Sequence, residues 1–283
     1  MNNKATILFP FGGNFHFGEL AIDSLIRHSR EKLNLIFVVE PMADQQDRDW
    51  VKTIPSRWPA HCEVIYNQNR CGYYGTINKA AQRCSTPIGI IFTNDQVASP
   101  GWDTELLCWL SPNRFVTGRL VESGASLIAD GTIWRRFGYT PDEFKEEAFL
   151  KFCQNFKPAL PLDVPRHYIP MAFYLDDFKR IGMFIEGKDS MNVSGAYRED
   201  FNFFIRSFEA DFELVEAQKA LTYHFQHGSK RKKALFRRYL NWIYPLGLKH
   251  LHRWLNGYVS LYDRLTEIGV KTRVEEICSK LNS

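Results

Sequence analysis

The sequence predicts an α/β fold in which a mixed, mainly parallel central sheet is flanked by helices. Over about the first hundred residues, short apolar runs of strand length alternate with segments of helical periodicity. Strands connected in this way pair in parallel through right-handed crossovers, and such sheets bind ligands beyond the carboxyl ends of their strands. At 283 residues, of which 45% are hydrophobic, the chain is long enough for a sizeable core.

Each element follows from a local signal. Apolar runs closed by turn or polar residues predict strands at 5–9, 33–39, 63–66 and 88–92. Apolar residues at helical spacing predict helices at 19–31, 47–53 and 75–83. The second half is less regular, with strands predicted at 115–120, 126–128 and 215–223, and helices at 141–156, 171–182 and 198–209. A proline-rich connection spans 158–170.

Positive charge is concentrated near the carboxyl end. The net charge is +4, but the segment from Lys230 to Tyr262 contains no acidic residue, and the rest of the chain is slightly acidic. Such a patch indicates a local partner rather than a general affinity for polyanions. Apolar residues at helical spacing interleave with the charges there. We therefore expect a domain over 1–229 and a basic amphipathic helical extension over 230–283.

Several protein classes are excluded by what the sequence lacks. The six cysteines form no CxxC pair, which argues against a zinc site or a disulfide framework and suits a reducing cytoplasm. No apolar run approaches membrane-spanning length, and the amino-terminal stretch does not resemble a secretory signal. Dinucleotide-binding, P-loop, nucleophile-elbow and HExxH motifs are absent.

Three polar segments point to one kind of site. The strand at 88–92 runs into Thr93-Asn94-Asp95, where a carboxylate could hold a hard cation that bridges a diphosphate. The segment 67–78, NQNRCGYYGTIN, follows another predicted strand and leads into a helix. Arg198-Glu199-Asp200 opens the helix at 198–209, and a YHF triplet with His224 follows the last strand.

Taken in order, these segments resemble the family 2 glycosyltransferases of GT-A fold. The resemblance runs from about residue 5 to about residue 230 and includes ILFPFGGN, LIFVVE, NQNRCGYYGTIN, FTNDQVASPGW, REDFNFFIR and YHF. It implies that Pro10 and Phe11 line a nucleotide and that Glu40 holds its base. It also implies that Gly72 and Asn78 complete the nucleotide pocket.

The same resemblance implies the reacting groups. Thr93, Asn94 and Asp95 occupy the position of the DxD motif that binds metal and diphosphate. Asp95 and His224 are then the expected ligands of a divalent cation, Mn²⁺ or Mg²⁺. Asp200 matches the catalytic base, and the acceptor side comprises Trp102, Glu199 and Arg206. Two departures from the family are Glu40, where aspartate is more usual, and Thr93, which replaces the first acid of DxD.

Each of these residues could instead have a purely structural role. Asp95 could cap a helix, and the Glu199-Asp200 pair could be the solvated start of one. His224 could be a buried structural histidine, with His227 as its rival for the metal. Trp102 could stack on an acceptor sugar or pack in the core as part of the next helix.

The expected function is therefore transfer of a sugar from a nucleotide-diphosphate donor to the hydroxyl of a glycan or lipid-linked acceptor, with inversion. Glu40 mildly favours a UDP-sugar. The alternatives are a non-catalytic nucleotide-sugar-binding or scaffold protein and a nucleotidyltransferase. We expect a cytoplasmic protein whose basic segment, residues 230–262, attaches peripherally to an anionic membrane. Packing of that segment on the domain is the alternative, and no nucleic-acid partner is expected.

Overall fold

A single mixed sheet forms the centre of the fold. The computed structural model describes residues 4–123, 133–186, 197–225 and 261–281, and within them the sheet has ten strands. These are β1 (Ala5–Phe11), β2 (Asn34–Val39), β3 (Cys62–Tyr66), β4 (Ile88–Ile91), β5 (Gln96–Ala98), β6 (Arg114–Glu122), β7 (Ile133–Trp134), β8 (Leu162–Asp163), β9 (Met171–Tyr174) and β10 (Glu213–His224).

Helices connect most of these strands. They are α1 (Phe15–His28), α2 (Gln45–Val51), α3 (Ile54–Arg57), α4 (Gly72–Arg83), α5 (Trp102–Leu107), α6 (Glu146–Asn155), α7 (Leu175–Arg180), α8 (Tyr197–Glu209), α9 (Leu261–Glu267) and α10 (Val270–Leu281). A short 3-10 helix at Pro141–Glu143 precedes α6. The chain is thus built from the alternating elements that the sequence predicts.

The directions of the strands bring seven carboxyl ends to one edge of the sheet, those of β1, β2, β3, β4, β6, β7 and β10. The order is β3-β2-β1-β4-β9-β6-β10-β5, with β7 paired to β6 and β8 paired to β10. The first four strands are parallel, and β9 is antiparallel to both β4 and β6. Because β6 and β10 are parallel to each other, both run in the same direction as β4. The residues that follow or end these strands therefore share one edge, where ligands of such sheets bind.

The structure corrects several element predictions. The helix predicted at 171–182 is in fact strand β9 followed by the short helix α7, because the apolar run Met171–Tyr174 is buried between two neighbouring strands. Pairing across the sheet overrides a local pattern that suits either element. The short strands β5 and β8 were not predicted. The strand predicted at 126–128 lies outside the described residues.

Aromatic side chains fill the core. The rings of Phe9, Phe37 and Phe92 stack along the centre of the sheet, with centroid distances of 4.8 and 6.5 Å. A second, smaller cluster brings Tyr223 of β10 against Phe149 of α6. Each fully buried ring contributes about 1.5–3 kcal/mol relative to an exposed one. This packing explains most of the 14% aromatic content of the chain.

The last two helices pack against the main core. Leu265 of α9 and Val270, Val274 and Cys278 of α10 are buried in it, and the Arg166 guanidinium lies 4.5 Å from the centroid of the Tyr262 ring. Part of the predicted extension therefore covers the sheet. Residues 226–260, which contain most of the predicted basic segment and His227, lie outside the described residues. Among the helices that are described, none combines the length and apolarity needed to cross a membrane.

Candidate active site

Asp95 lies in the loop between β4 and β5, at the carboxyl edge of the sheet. The Thr93 hydroxyl donates a hydrogen bond to Asp95 Oδ1 at 2.9 Å. The Asn94 amide donates to the carbonyl oxygen of Gly13 at 3.1 Å, which ties this loop to the loop after β1. The Asp95 side chain remains 36% exposed, so a ligand can reach its carboxylate. All three residues at the DxD position thus stand at the predicted edge.

The sheet brings His224 to Asp95. Strand β5 pairs antiparallel with β10, which places Gln96 opposite His224, and Phe225 N donates to the Asp95 carbonyl oxygen at 3.0 Å. The His224 side chain then lies with Nε2 3.2 Å from Asp95 Oδ2. The two residues that the resemblance assigns to a metal are therefore adjacent.

Glu122, which was not predicted as a site residue, lies on the other side of His224. It ends β6 directly opposite His224 on β10, and His224 Nδ1 is 3.1 Å from both of its carboxylate oxygens. The Glu122 side chain is fully buried. Glu122 comes two residues after the strand predicted at 115–120, much as Asp95 comes three residues after the strand predicted at 88–92, so the sequence contained a clue to Glu122.

The charges of these groups stabilise one another. Burial lowers the pKa of His224, but the carboxylates of Glu122 and Asp95 outweigh it, so this pKa lies well above its ordinary value. Burial also raises the pKa of Asp95, yet the charge of His224 and the hydrogen bonds from His224 and Thr93 lower it overall. Burial raises the pKa of Glu122 against the opposing charge of His224. Without a metal, the favoured state is an imidazolium between two carboxylates.

Two further polar side chains, those of His167 and Gln96, flank this group. His167 Nε2 lies 3.9 Å from Glu122 Oε1, and burial together with the charges of His224, Arg166 and Arg119 lowers the pKa of His167 to about 3. His167 is therefore neutral at ordinary pH. Gln96 is fully buried beside His224. Within the described residues, neither His167 Nε2 nor the Gln96 amide has a hydrogen-bond partner.

The Asp95–His224 pair fits a divalent cation that also binds substrate phosphates. Mg²⁺ in phosphate-transfer sites commonly takes one or two protein ligands and completes its shell with phosphate oxygens and water. A ligating histidine usually has its second ring nitrogen held by a carboxylate, which is the position of Glu122. Within the part of the chain that the structure describes, no group of three or more such side chains is arranged to hold a metal ion by itself.

Glu40 lies at the same edge, at the end of β2, but its carboxylate is largely occupied. It is 4% exposed. Its Oε1 accepts hydrogen bonds from Asn67 Nδ2 at 2.9 Å and from the Thr76 hydroxyl at 2.6 Å, and its Oε2 accepts from Cys71 N at 3.2 Å. In this structure Glu40 therefore holds the segment that begins α4. Gly72, the first residue of that helix, has a positive φ of 72° and open space where a Cβ would lie.

The exposed apolar side chains near Glu40 are Met42 and Tyr66. Met42 follows β2 and is 53% exposed, and Tyr66 ends β3 and is 41% exposed. The Arg48 guanidinium lies 6.0 Å from the centroid of the Tyr66 ring. Exposed apolar surface at a ligand-binding edge suits a flat aromatic group. Neither residue was predicted as a site residue, because a single exposed apolar residue has no local signature in the sequence.

Three predicted contacts are core residues instead. The Phe11 ring is fully buried and packs on Phe37 and Trp50, with centroid distances of 5.3 and 5.4 Å, and Pro10 is buried in β1. Trp102 is 0% exposed, lies 5.1 Å from the Phe92 ring, and donates its Nε1–H to the Ser29 hydroxyl at 3.1 Å. The prediction that Trp102 stacks on an acceptor sugar is therefore wrong, because no face of its ring is accessible.

The remaining predicted residues meet around residues 181–186. Asn78 of α4 bonds to the backbone of Phe184, and Glu199 and Arg206 of α8 bond to other backbone groups of the same segment. Asp200 lies next to Glu199 in α8, but its side chain is outside the described part of the structure. The backbone thus puts the predicted base at the start of a helix that is anchored by its neighbours.

Comparison with known proteins identifies the fold. No protein-family profile and no curated protein matches the chain. Among solved structures, it is similar to the crystal structure of GalNAc-T7 with UDP, GalNAc and Mn²⁺, at 11% identity and a TM-score of 0.59, over 78% of this chain and 43% of that one. It is also similar to S. aureus TarS 1–349 in complex with UDP, at 11% identity and a TM-score of 0.51, over 78% of this chain and 60% of that one.

These relatives extend well beyond the part that this chain matches, since the chain spans about half the length of each. The fold class expected from the sequence is confirmed. The protein has a GT-A-like glycosyltransferase fold.

Proposed function

We propose that this protein is a glycosyltransferase that moves a sugar from a nucleotide-diphosphate donor to an acceptor hydroxyl, with inversion at the anomeric carbon. The observation that carries the proposal is the Asp95–His224 pair, which is accessible through Asp95 at the carboxyl edge of a GT-A-like sheet. Both similar structures were solved with UDP, and one also contains Mn²⁺ and GalNAc. Inversion rests on the resemblance of the motifs to family 2.

The donor site extends along the edge of the sheet. The nucleobase of the donor lies against Tyr66 and Met42, close to Glu40, and the diphosphate of the donor lies near Asp95. Asp95 and His224 would hold a divalent cation, Mn²⁺ or Mg²⁺, which would supply positive charge to neutralise the leaving diphosphate. To act as a ligand, His224 must lose the proton on Nε2. The proton on Nδ1 stays on the ring and is donated in a hydrogen bond to Glu122, which fixes the orientation of the ring.

In the proposed reaction Asp200 is the general base. It accepts the proton of the acceptor hydroxyl as the hydroxyl oxygen forms its bond to the anomeric carbon. The bond between that carbon and the diphosphate oxygen breaks, and UDP leaves with the bonding electron pair. A single displacement of this kind inverts the anomeric configuration. The acceptor that we propose is a glycan or a lipid-linked glycan at the cytoplasmic face of a membrane.

The Asp200→Asn substitution tests whether Asp200 is the general base. Asparagine keeps the size of the side chain but cannot accept the proton, so we expect kcat to fall by about a hundredfold or more with little change in UDP affinity. Asp211→Asn, at an exposed position beyond the same helix, is the matched control. Near-normal turnover of the Asp200 variant would remove Asp200 from the mechanism. The product anomer, read by NMR, tests inversion separately.

A panel of nucleotide sugars with Mn²⁺ separates this function from its two alternatives. Sugar transfer or slow donor hydrolysis supports the transferase. Binding without turnover supports a nucleotide-sugar-binding or scaffold protein, for which the replacement of the first DxD acid by Thr93 is the relevant observation. Exchange of pyrophosphate into a nucleoside triphosphate supports a nucleotidyltransferase. Asp95→Ala and chelation with EDTA should both weaken UDP binding if the cation bridges protein and diphosphate.

A further inference from the structure

Residues 181–186 cross between two helices that belong to different parts of the proposed site. Helix α4 begins beside Glu40, on the nucleotide side, and α8 carries Asp200 in its first turns. The crossing segment is held from both helices by side chains rather than by strand pairing. Those side chains were predicted from the sequence to contact ligands.

From the α4 side, Asn78 uses its whole amide on this segment. Its Oδ1 accepts from Phe184 N at 3.1 Å, and its Nδ2 donates to the Phe184 carbonyl oxygen at 2.8 Å and to Glu186 Oε1 at 2.7 Å. Asn78 is buried. Both amide hydrogens are therefore committed, and Asn78 has none left to donate to a nucleotide.

From the α8 side, Glu199 and Arg206 act together. Glu199 Oε1 accepts from Ile185 N at 2.6 Å and from Arg206 Nη2 at 3.1 Å. Arg206 also donates to the carbonyl oxygens of Ile181 at 2.7 Å and Met183 at 3.0 Å. The Glu199 carboxylate is 4% exposed. Bonds between charged groups and backbone in such a buried setting are the stronger kind.

We infer that Asn78, Glu199 and Arg206 form a clamp that fixes residues 181–186 and so positions the Asp200 end of α8 relative to α4. The three are positioning residues rather than contacts of nucleotide or acceptor. The hydrogen bonds of these three side chains to residues 181–186 form the physical link between α4 and α8. The catalytic purpose of that link rests on the proposed function of Asp200. The clamp predicts that a change at Asn78 alters the start of α8, although the two are far apart in the chain.

Hydrogen exchange of the full chain tests the link without reference to catalysis. We compare Asn78→Asp, Glu199→Gln and Arg206→Lys with Gln82→Asn and Glu209→Gln, which change exposed residues of the same two helices. The clamp variants should exchange about tenfold faster in peptides covering 181–186 and 197–200, and the controls should not. Arg206→Lys retains the positive charge, so it is the clamp variant that disturbs the fold least. Circular dichroism of every variant checks that the fold is intact. Unchanged exchange at 197–200 in Asn78→Asp would overturn the inference.

Kinetics of the same variants test the purpose of the clamp. Misplacement of a base costs turnover rather than donor binding, so kcat should fall by about tenfold to a hundredfold while the UDP dissociation constant stays within about twofold. Loss of UDP binding at constant kcat would instead make these residues ligand contacts and overturn the positioning role. If the wild-type protein transfers no sugar from any donor, the proposed function fails, and the exchange experiment alone decides the clamp.

Discussion

His224 Nε2 lies 3.2 Å from Asp95 Oδ2, although 129 positions separate the two residues in the chain. The antiparallel pairing of β5 with β10 produces this contact, because it places Gln96 opposite His224. Glu122 holds the other nitrogen of the ring. The imidazole therefore carries a proton at the place where the proposed cation binds, and proton and cation compete for His224 Nε2.

This competition predicts that metal-dependent UDP affinity rises with pH. The pKa of His224 is raised well above its ordinary value, so at neutral pH its Nε2 proton must leave before a cation binds. We expect the UDP dissociation constant at fixed Mg²⁺ to fall as pH rises from about 6 to about 8.5. Calorimetric titration measures it. His224→Gln should bind UDP more weakly and lose most of this pH dependence, and an unchanged slope in that variant would contradict the assignment.

Without metal, the same group predicts how stability changes with pH. A histidine whose folded pKa is raised contributes stability that is fully present below its unfolded pKa of about 6.5 and is lost as pH rises through the folded pKa. The Tm in EDTA should therefore decline above about pH 6.5. Glu122→Gln removes the buried counter-charge, so we expect a lower Tm at pH 6 and a flatter decline. Scanning calorimetry across the pH range checks both slopes.

The sequence contained a signal for Glu122, which was not predicted as a site residue. Glu122 comes two residues after the strand predicted at 115–120, and its position at the same edge follows once β6 is known to be parallel to β4. That direction depends on β9, which lies between them and was predicted as a helix. Local periodicity could not decide between helix and strand for the run Met171–Tyr174, because its pairing with β4 and β6 makes it a strand.

The sequence pointed to the edge of the sheet through polar residues that come shortly after apolar runs. Asp95 and Glu40 are there because the apolar run before each is long enough to specify a strand and its end. What a side chain does at the edge depends on its neighbours in space. Asn78, Glu199 and Arg206 match family motifs, yet their bonds go to residues 181–186. Motif position thus identified the region, whereas the bonding partners of each side chain follow only from contacts across the fold.

Trp102 offers a direct test of core packing against acceptor binding. Its ring is fully buried, so we expect Trp102→Ala to lower the free energy of unfolding by about 3–5 kcal/mol. Trp102→Phe retains much of the volume but loses the hydrogen bond to Ser29, and should cost less. Urea unfolding measures both. The Phe variant should keep the acceptor KM of the wild type, and a large rise in that KM would restore the acceptor-side assignment.

The basic segment calls for a test that leaves the core intact. Truncation before Lys230 would also remove α9 and α10, whose Leu265 and Val274 are buried in the main core, so a truncated chain could fail by unfolding. Charge removal within 230–262 avoids this problem. We propose the set Lys232→Gln, Lys233→Gln, Arg237→Gln and Arg238→Gln, with Arg264→Gln and Lys271→Gln on the packed helices as the control set.

If the segment attaches the protein to an anionic membrane, the first set should reduce co-sedimentation with phosphatidylserine vesicles. Each basic residue near such a surface contributes about 1 kcal/mol, so four removals should weaken binding by about a hundredfold or more at low salt. The control set should sediment like the wild type, and neither set should bind neutral vesicles. Equal sedimentation of both sets would show that the charges serve another purpose, and a parallel titration with duplex DNA would then test nucleic acid as the partner.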